Sequence, residues 1–174
     1  MTTPPFAIDA VIQIRPALPQ DLETVLDILN RATEKLLAKG LKQWTKRWEA
    51  EPTLRAIEAG KQFLAFESGQ VKAVFQLSGK SSNPVVEAAH PGDLYLSRLA
   101  VDPKWQNHGF GKRVMEQVLR YANDLGKTLY LDCWAGNYKL KTFYKECGME
   151  QFGDFPEDDY FITVFKALPL QGVD

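Results

Sequence analysis

The tightest constraint on this chain is a pair of glycines, Gly109 and Gly111, set between a strand-like run and a long amphipathic one. Residues 94–101 read as a strand. Residues 109–125 carry Val114, Met115, Val118, Leu119, Ala122 and Leu125 at helical spacing, and Gly126 ends them. Glycine lets the backbone turn tightly without a Cβ in the way. A helix that starts there leaves its first amide N–H groups without intrahelical partners, beside the positive end of the helix dipole. That combination binds phosphate. Two familiar phosphate loops fail against it. A dinucleotide fingerprint needs a third glycine where Val114 stands. A nucleoside-triphosphate loop needs Ser or Thr after the lysine, and Arg113 follows Lys112.

The rest of the chain alternates in the same way. Residues 11–15 suit a first strand ending at Pro16. Asp21 is placed to cap a helix through Leu36, closed by Gly40. Residues 41–51 are irregular and hold Trp44 and Trp48. Pro52 opens a short helix ending at Gly60. Residues 62–67 and 71–77 are strands joined by a tight turn at Ser68-Gly69-Gln70. Residues 79–92 have the punctuation of a loop. Residues 128–134 form a strand and 138–147 a helix stopped by Gly148. Residues 149–152 and 160–166 are closing strands around Glu157-Asp158-Asp159. The expected fold is α/β: a mixed central sheet of about seven strands with about four helices on its faces. No repeat or linker divides the 174 residues, so one domain over 1–174 is expected, with residues 1–10 as a flexible tail.

Composition narrows the function. The net charge of −1 offers no broad attraction to nucleic acid or anionic membrane. No apolar run reaches the ~20 residues of a membrane span, and the start of the chain lacks the pattern of a signal peptide. Cys133 and Cys147 lack zinc-ligand spacing and form no disulfide framework; they read as packed thiols of a cytoplasmic protein, and no metal is expected.

Gln106-Asn107-His108-Gly109-Phe110-Gly111 resembles the Gln/Arg-x-x-Gly-x-Gly/Ala loop of the GNAT N-acetyltransferase superfamily. The preceding Leu99-Ala100-Val101-Asp102-Pro103 is similar to that family's strand-and-turn entry. Asn137, seven residues before Tyr144, followed by Gly148-Met149, is similar to its Asn…Tyr-x-x-x-Gly-Phe block. Met149 stands where phenylalanine is usual and Leu140 where alanine is common, both apolar exchanges. The resemblance implies a sheet splayed in the middle and acetyl-CoA as cosubstrate. It implies that the backbone of Gln106, Asn107, His108, Gly109, Phe110, Gly111 and Lys112 holds the pyrophosphate, with charge from Lys112 or Arg113. It further implies that a bulged strand at Leu99, Ala100 and Val101 pairs with the pantetheine arm, and that Asn137 contacts the arm. The dominant chemical role falls on Tyr144: a phenol of pKa about 10 protonates the leaving thiolate.

The acceptor is expected to be a primary amine, small or on a peptide or protein, attacking directly in a ternary complex. An alkylamine of pKa about 10.4 is only about one part in a thousand neutral near pH 7.4, so a base is useful. Asp93, Glu67, Glu87 and His90 stand open for that role. His108 reads better as a neighbour of the phosphates. Trp44 and Trp48 suit either an acceptor wall or ordinary packing. The acidic turn at 157–159 suits either a cation attractor or a solvated hairpin tip. The runner-up is a catalytically silent acyl-CoA sensor that keeps the phosphate loop and blocks the acceptor cleft. An unrelated α/β protein whose Gly-x-Gly only starts a helix ranks last. The fold allows dimers through edge strands or helices.

Overall fold

The computed structural model describes residue 6 and residues 12–81, 83–89 and 92–171. Its strands are β1 (Gln13–Pro16), β2 (Gln62–Glu67), β3 (Gln70–Ser78), β4 (Leu94–Val101), β5 (Leu129–Trp134), β6 (Glu150–Glu157) and β7 (Tyr160–Ala167). Its helices are α1 (Leu22–Ala38), α2 (Ala50–Glu58), α3 (Pro84–Ala89), α4 (Phe110–Asp124) and α5 (Tyr138–Glu146). The strands form one mixed sheet in the order β1-β2-β3-β4-β5-β7-β6, which is the expected architecture. Every neighbouring pair is antiparallel except β4 and β5, which run parallel.

Side chains leave successive strand positions on opposite faces, and the core divides accordingly. On one face Phe63, Phe75, Leu96, Leu129, Leu131 and Phe165 pack against Phe110, Val114, Met115 and Val118 of α4 and Tyr144 of α5. On the other, Leu64, Val74 and Ala100 meet Val25, Ile28 and Leu29 of α1 and Ile57 of α2. Farther along that second face Tyr95, Tyr130, Ile162 and Val164 enclose Val86 of α3.

Two irregularities open the middle of the sheet. Opposite Phe75, β4 carries two residues, Arg98 and Leu99, because Gln76 pairs with Ser97 and Val74 with Ala100. This bulge, with Arg98 at φ +54°, reverses which residues face α4. Leu94 and Leu96 face it before the bulge, and Leu99 and Val101 after. The second irregularity is the short parallel pairing. β4 and β5 are in register only over Leu94–Leu129, Tyr95–Tyr130 and Leu96–Leu131. Beyond it Ser97 and Asp132 lead two strands that part.

The structure departs from the sequence reading in three places. The stretch at 79–92, expected as a loop, contains α3. Asn83 Oδ1 accepts from Val86 N at 3.2 Å, Glu87 Oε2 accepts from Ser81 N at 2.7 Å, and Pro84 opens the helix, so the apparent loop residues are a helix start. β6 runs five residues past Phe152, and Asp158 at φ +49° turns the chain. Within the expected tail, Phe6 is buried against Phe63, Phe75 and Tyr121; the other residues of 1–10 lie outside the described set. Cys133 and Cys147 are unbridged, and both pack in the α4 face of the core.

Candidate active site

A cavity of about 1240 Å³ fills the gap between β4 and β5. It is lined by Leu99, Ala100, Val101, Gln106, Asn107, Gly109, Phe110, Gly111, Lys112, Asn137 and Tyr144, all of them singled out from the sequence. His108 and Arg113 are not among its lining residues.

At one end is the start of α4. Gly109 takes a left-handed conformation, φ +74°, and is the N-cap, with no side chain capping the helix. The first intrahelical bond runs from Arg113 N to Gly109 O at 3.2 Å. The amides of Phe110, Gly111 and Lys112 therefore lack intrahelical acceptors, and these residues line the cavity. Gly111 serves packing as well: a Cβ there would meet Val101 Cγ2 at 3.3 Å and the Phe143 ring at 3.6 Å, so a larger residue would press α4 against β4 and α5 unless Val101 gives way by a few tenths of an ångström. The loop before α4 is held from within. Gln106 Nε2 donates to Val101 O at 3.0 Å, and Asp102 Oδ1 accepts from Lys104 N at 3.0 Å. One carbonyl of the bulged strand is thus already taken by its own loop. His108 is exposed. Arg113 turns to Glu67, donating to Oε1 at 2.8 Å.

At the other end, Tyr144 is buried, 5% exposed, and its hydroxyl has no hydrogen-bond partner among the described residues. Burial first, then the nearby Cys133 and Asp132, pushes the phenol well above its ordinary value. Asn137 caps α5, its Oδ1 accepting from Leu140 N at 3.1 Å. Its Nδ2 has only a long contact, 3.5 Å, to Gln43 Oε1. Gln43 Oε1 also accepts from Trp134 N at 2.9 Å, so the α1–α2 connection crosses the outer part of β5. Trp44 and Trp48 line this side, edge to face at 5.4 Å. Trp48 Nε1 donates to Thr33 Oγ1 and the Arg98 guanidinium lies 4.7 Å over its ring.

The four carboxylate and imidazole candidates for a base do not gather here. Glu67 is held by Lys72 and Arg113, Lys72 foremost in keeping its carboxyl below the usual range. Asp93 Oδ1 accepts from Thr128 N at 3.2 Å, bridging the starts of β4 and β5. Glu87 is engaged at the start of α3. None of these three lines the cavity, and His90 lies outside the described residues. Of the acidic turn, Glu157 reaches the cavity, while Asp158 and Asp159 are an exposed tip.

The sequence reading missed Asp132 and Tyr95. Both line the cavity, and the Tyr95 hydroxyl donates to Asp132 Oδ2 at 2.8 Å. Burial pushes the Asp132 carboxyl up to about 6; the Tyr95 bond opposes this and the Glu157 charge adds to it. The available signal was a single acid inside the apolar run Leu129–Trp134. Among the described residues no group of three or more His, Cys, Asp or Glu side chains is placed to hold a metal.

The arrangement is one of open amides, a split sheet and a buried phenol, and proteins of related sequence and shape share the overall fold. The uncharacterized N-acetyltransferase YesJ of Bacillus subtilis (strain 168) is 30% identical over 146 residues, covering 79% of this chain and 81% of that protein. The crystal structure of a GNAT-family acetyltransferase from Streptococcus agalactiae 2603 superposes with a TM-score of 0.82 at 16% identity, over 95% of this chain and 99% of that one. That of YncA from Salmonella typhimurium, solved with acetyl-CoA, superposes with a TM-score of 0.69 at 16% identity, over 94% and 97%. The sequence profile of the Acetyltransferase (GNAT) family matches residues 22–149, well over half of the chain, and the protein therefore belongs to the GNAT family of N-acetyltransferases.

Proposed function

We propose that the protein transfers the acetyl group of acetyl-CoA to a primary amine by direct attack in a ternary complex. The observation that carries this reading is the uncapped start of α4 facing a split in the sheet: donors for a pyrophosphate stand at the mouth of a slot that suits an extended pantetheine arm. The amides of residues 109–112 and their neighbours in 106–108 hold the pyrophosphate, and Lys112, exposed at the cavity wall, adds charge. Arg113, turned to Glu67, does not. The outer backbone of β4, short of the Val101 carbonyl, and Asn137 Nδ2 receive the arm.

Bound acetyl-CoA supplies the reactive thioester. The chain's own residues exclude water and manage protons. Tyr144 donates its hydroxyl proton to the departing sulfur. Its hydroxyl, buried and without a partner among the described residues, gains one there. A phenol pushed up by burial suits a sulfur that has itself left water, because both anions are destabilised alike. Room beyond Tyr144, reaching Tyr95 and Asp132, is what an acceptor requires and a silent sensor does not.

The test is calorimetric titration with coenzyme A alongside thiol release from acetyl-CoA with a panel of primary amines. Binding together with amine-dependent release is expected. Binding without release from any amine favours a sensor, and no binding removes both readings.

A further inference from the structure

The cavity continues past Tyr144 along the face of the sheet that carries Tyr95 and Asp132, and it reaches Glu157 and Tyr160. A carboxylate removed from water costs free energy unless a cation or donors compensate. Asp132 forms no ion pair among the described residues, and its donor is the Tyr95 hydroxyl on the neighbouring strand. The groups around it are neutral or acidic. Tyr95 comes from β4, Glu157 and Tyr160 from the β6–β7 hairpin, Tyr144 from α5, and Cys133 is its neighbour on β5. Lys39, Lys61, Lys80, Arg98, Lys112 and Lys139 line the same cavity, and none of them makes an ion pair with Asp132. A second, independent group lines the same cavity from the α4 face: Tyr144, 5% exposed, whose hydroxyl has no hydrogen-bond partner among the described residues. The two groups differ in kind. Among the described residues, one holds a proton with nothing to receive it, and the other is a carboxylate with no ion-pair partner.

We infer that Asp132 is the catalytic proton acceptor for the acceptor amine, that Tyr95 is its positioning residue, and that the amine is an alkylamine entering along the Tyr95–Asp132 face. The assignment rests on the acetyl-transfer reading. In the step, the nitrogen lone pair forms a bond to the acyl carbon and the carbon–sulfur bond breaks, its electron pair leaving on sulfur. The amine arrives as an ammonium ion, and its first proton passes through Asp132 to solvent before attack; in the attack Tyr144 gives sulfur one proton and Asp132 takes the second from nitrogen. Asp132 then returns its proton to solvent and Tyr144 regains one from it, so the charges balance. A carboxyl raised to about 6 is still ionised at neutral pH and is a stronger proton acceptor than an ordinary carboxylate.

The test follows thiol release from acetyl-CoA with methylamine and phenethylamine between pH 5 and 9 in the wild type, Asp132→Asn and Tyr95→Phe. The wild-type kcat/KM is expected to fall on the acid side with a midpoint near 6. Asp132→Asn should bind coenzyme A as the wild type does, lose on the order of 10²-fold in rate at neutral pH and lose that acid limb. Tyr95→Phe should move the limb upward, because the Tyr95 bond favours the carboxylate. A wild-type rate and limb in Asp132→Asn overturns the assignment; should that variant not fold, an unmoved limb in Tyr95→Phe does so. If the wild type binds coenzyme A and releases no thiol with either amine or with any amine of the wider panel, the acetyl-transfer reading fails separately. The carboxyl band of Asp132 is then followed by difference infrared spectroscopy. Methylammonium is expected to lower its titration midpoint, and an unchanged midpoint overturns the amine face as well.

Discussion

The Arg31 guanidinium clasps the Asp102 carboxylate with two hydrogen bonds, of 2.7 and 2.9 Å, across 71 residues of chain. It ties α1 to the turn that leads from β4 into the loop before α4, where Asp102 Oδ1 also accepts from Lys104 N. Asp102 is 5% exposed. Burial alone would raise its carboxyl, but the Arg31 bond and charge, with the Lys104 amide, outweigh it and hold the group below its ordinary value.

Replacing Arg31 by Met therefore strands a buried carboxylate. The expected loss is about 2 kcal/mol in urea unfolding, less than the roughly 3–5 of a fully buried pair because the Arg31 side chain remains about a third exposed to solvent. A folded pKa below the unfolded one contributes stability that is present above about pH 4 and lost as pH falls through the folded value. The gap between wild type and Arg31→Met should accordingly narrow in acid. A gap that stays constant down to pH 3 would contradict this.

Gly109 and Gly111 should respond differently to substitution. At Gly109 a Cβ meets nothing within 4 Å, but φ is +74°. Gly109→Ala is expected to cost about 1–2 kcal/mol of backbone strain. At Gly111 the backbone is ordinary and the space is not. Gly111→Val should push α4 away from Val101 and Phe143 and weaken coenzyme A binding on the order of tenfold, about 1.4 kcal/mol. Thermal melts and calorimetry on both variants check the contrast; equal affinity losses would remove it.

Tyr144→Phe removes a buried hydroxyl that has no hydrogen-bond partner among the described residues. Deleting an unsatisfied polar group is neutral to stability or improves it. Turnover should nevertheless fall on the order of 10²-fold, with coenzyme affinity kept. Single-turnover thiol release beside a denaturation curve separates the two effects. Unchanged turnover would take Tyr144 out of the chemistry.

The readable part of the site was the part built from neighbouring residues. Gly109, Gly111 and the apolar spacing from Val114 to Ala122 announce a helix start, and Asn137 and Tyr144 lie on one short helix and its cap. A base was less readable. Asp93, Glu67 and Glu87 are ordinary acids in sequence, and what engages them away from the cavity is partly long-range, the amide of Thr128 and the Arg113 guanidinium, and partly local, Lys72 and the amide of Ser81. Arg113 likewise looks like a phosphate ligand until Glu67, 46 residues earlier, is found to hold it.

Local patterns of apolar spacing, glycine and proline determined the strands, the helices and the position of the uncapped turn that opens α4, because those follow from backbone sterics and unpaired amides within a few residues. The tertiary structure decided which faces meet. The bulge at Arg98 and Leu99 reverses the sides of β4, and the short parallel pairing lets β4 and β5 part. Sheet order sets Tyr95 beside Asp132, 37 residues apart. Such pairings depend on register between distant strands, and nothing in the few residues around Asp132 specifies which strand will lie next to it.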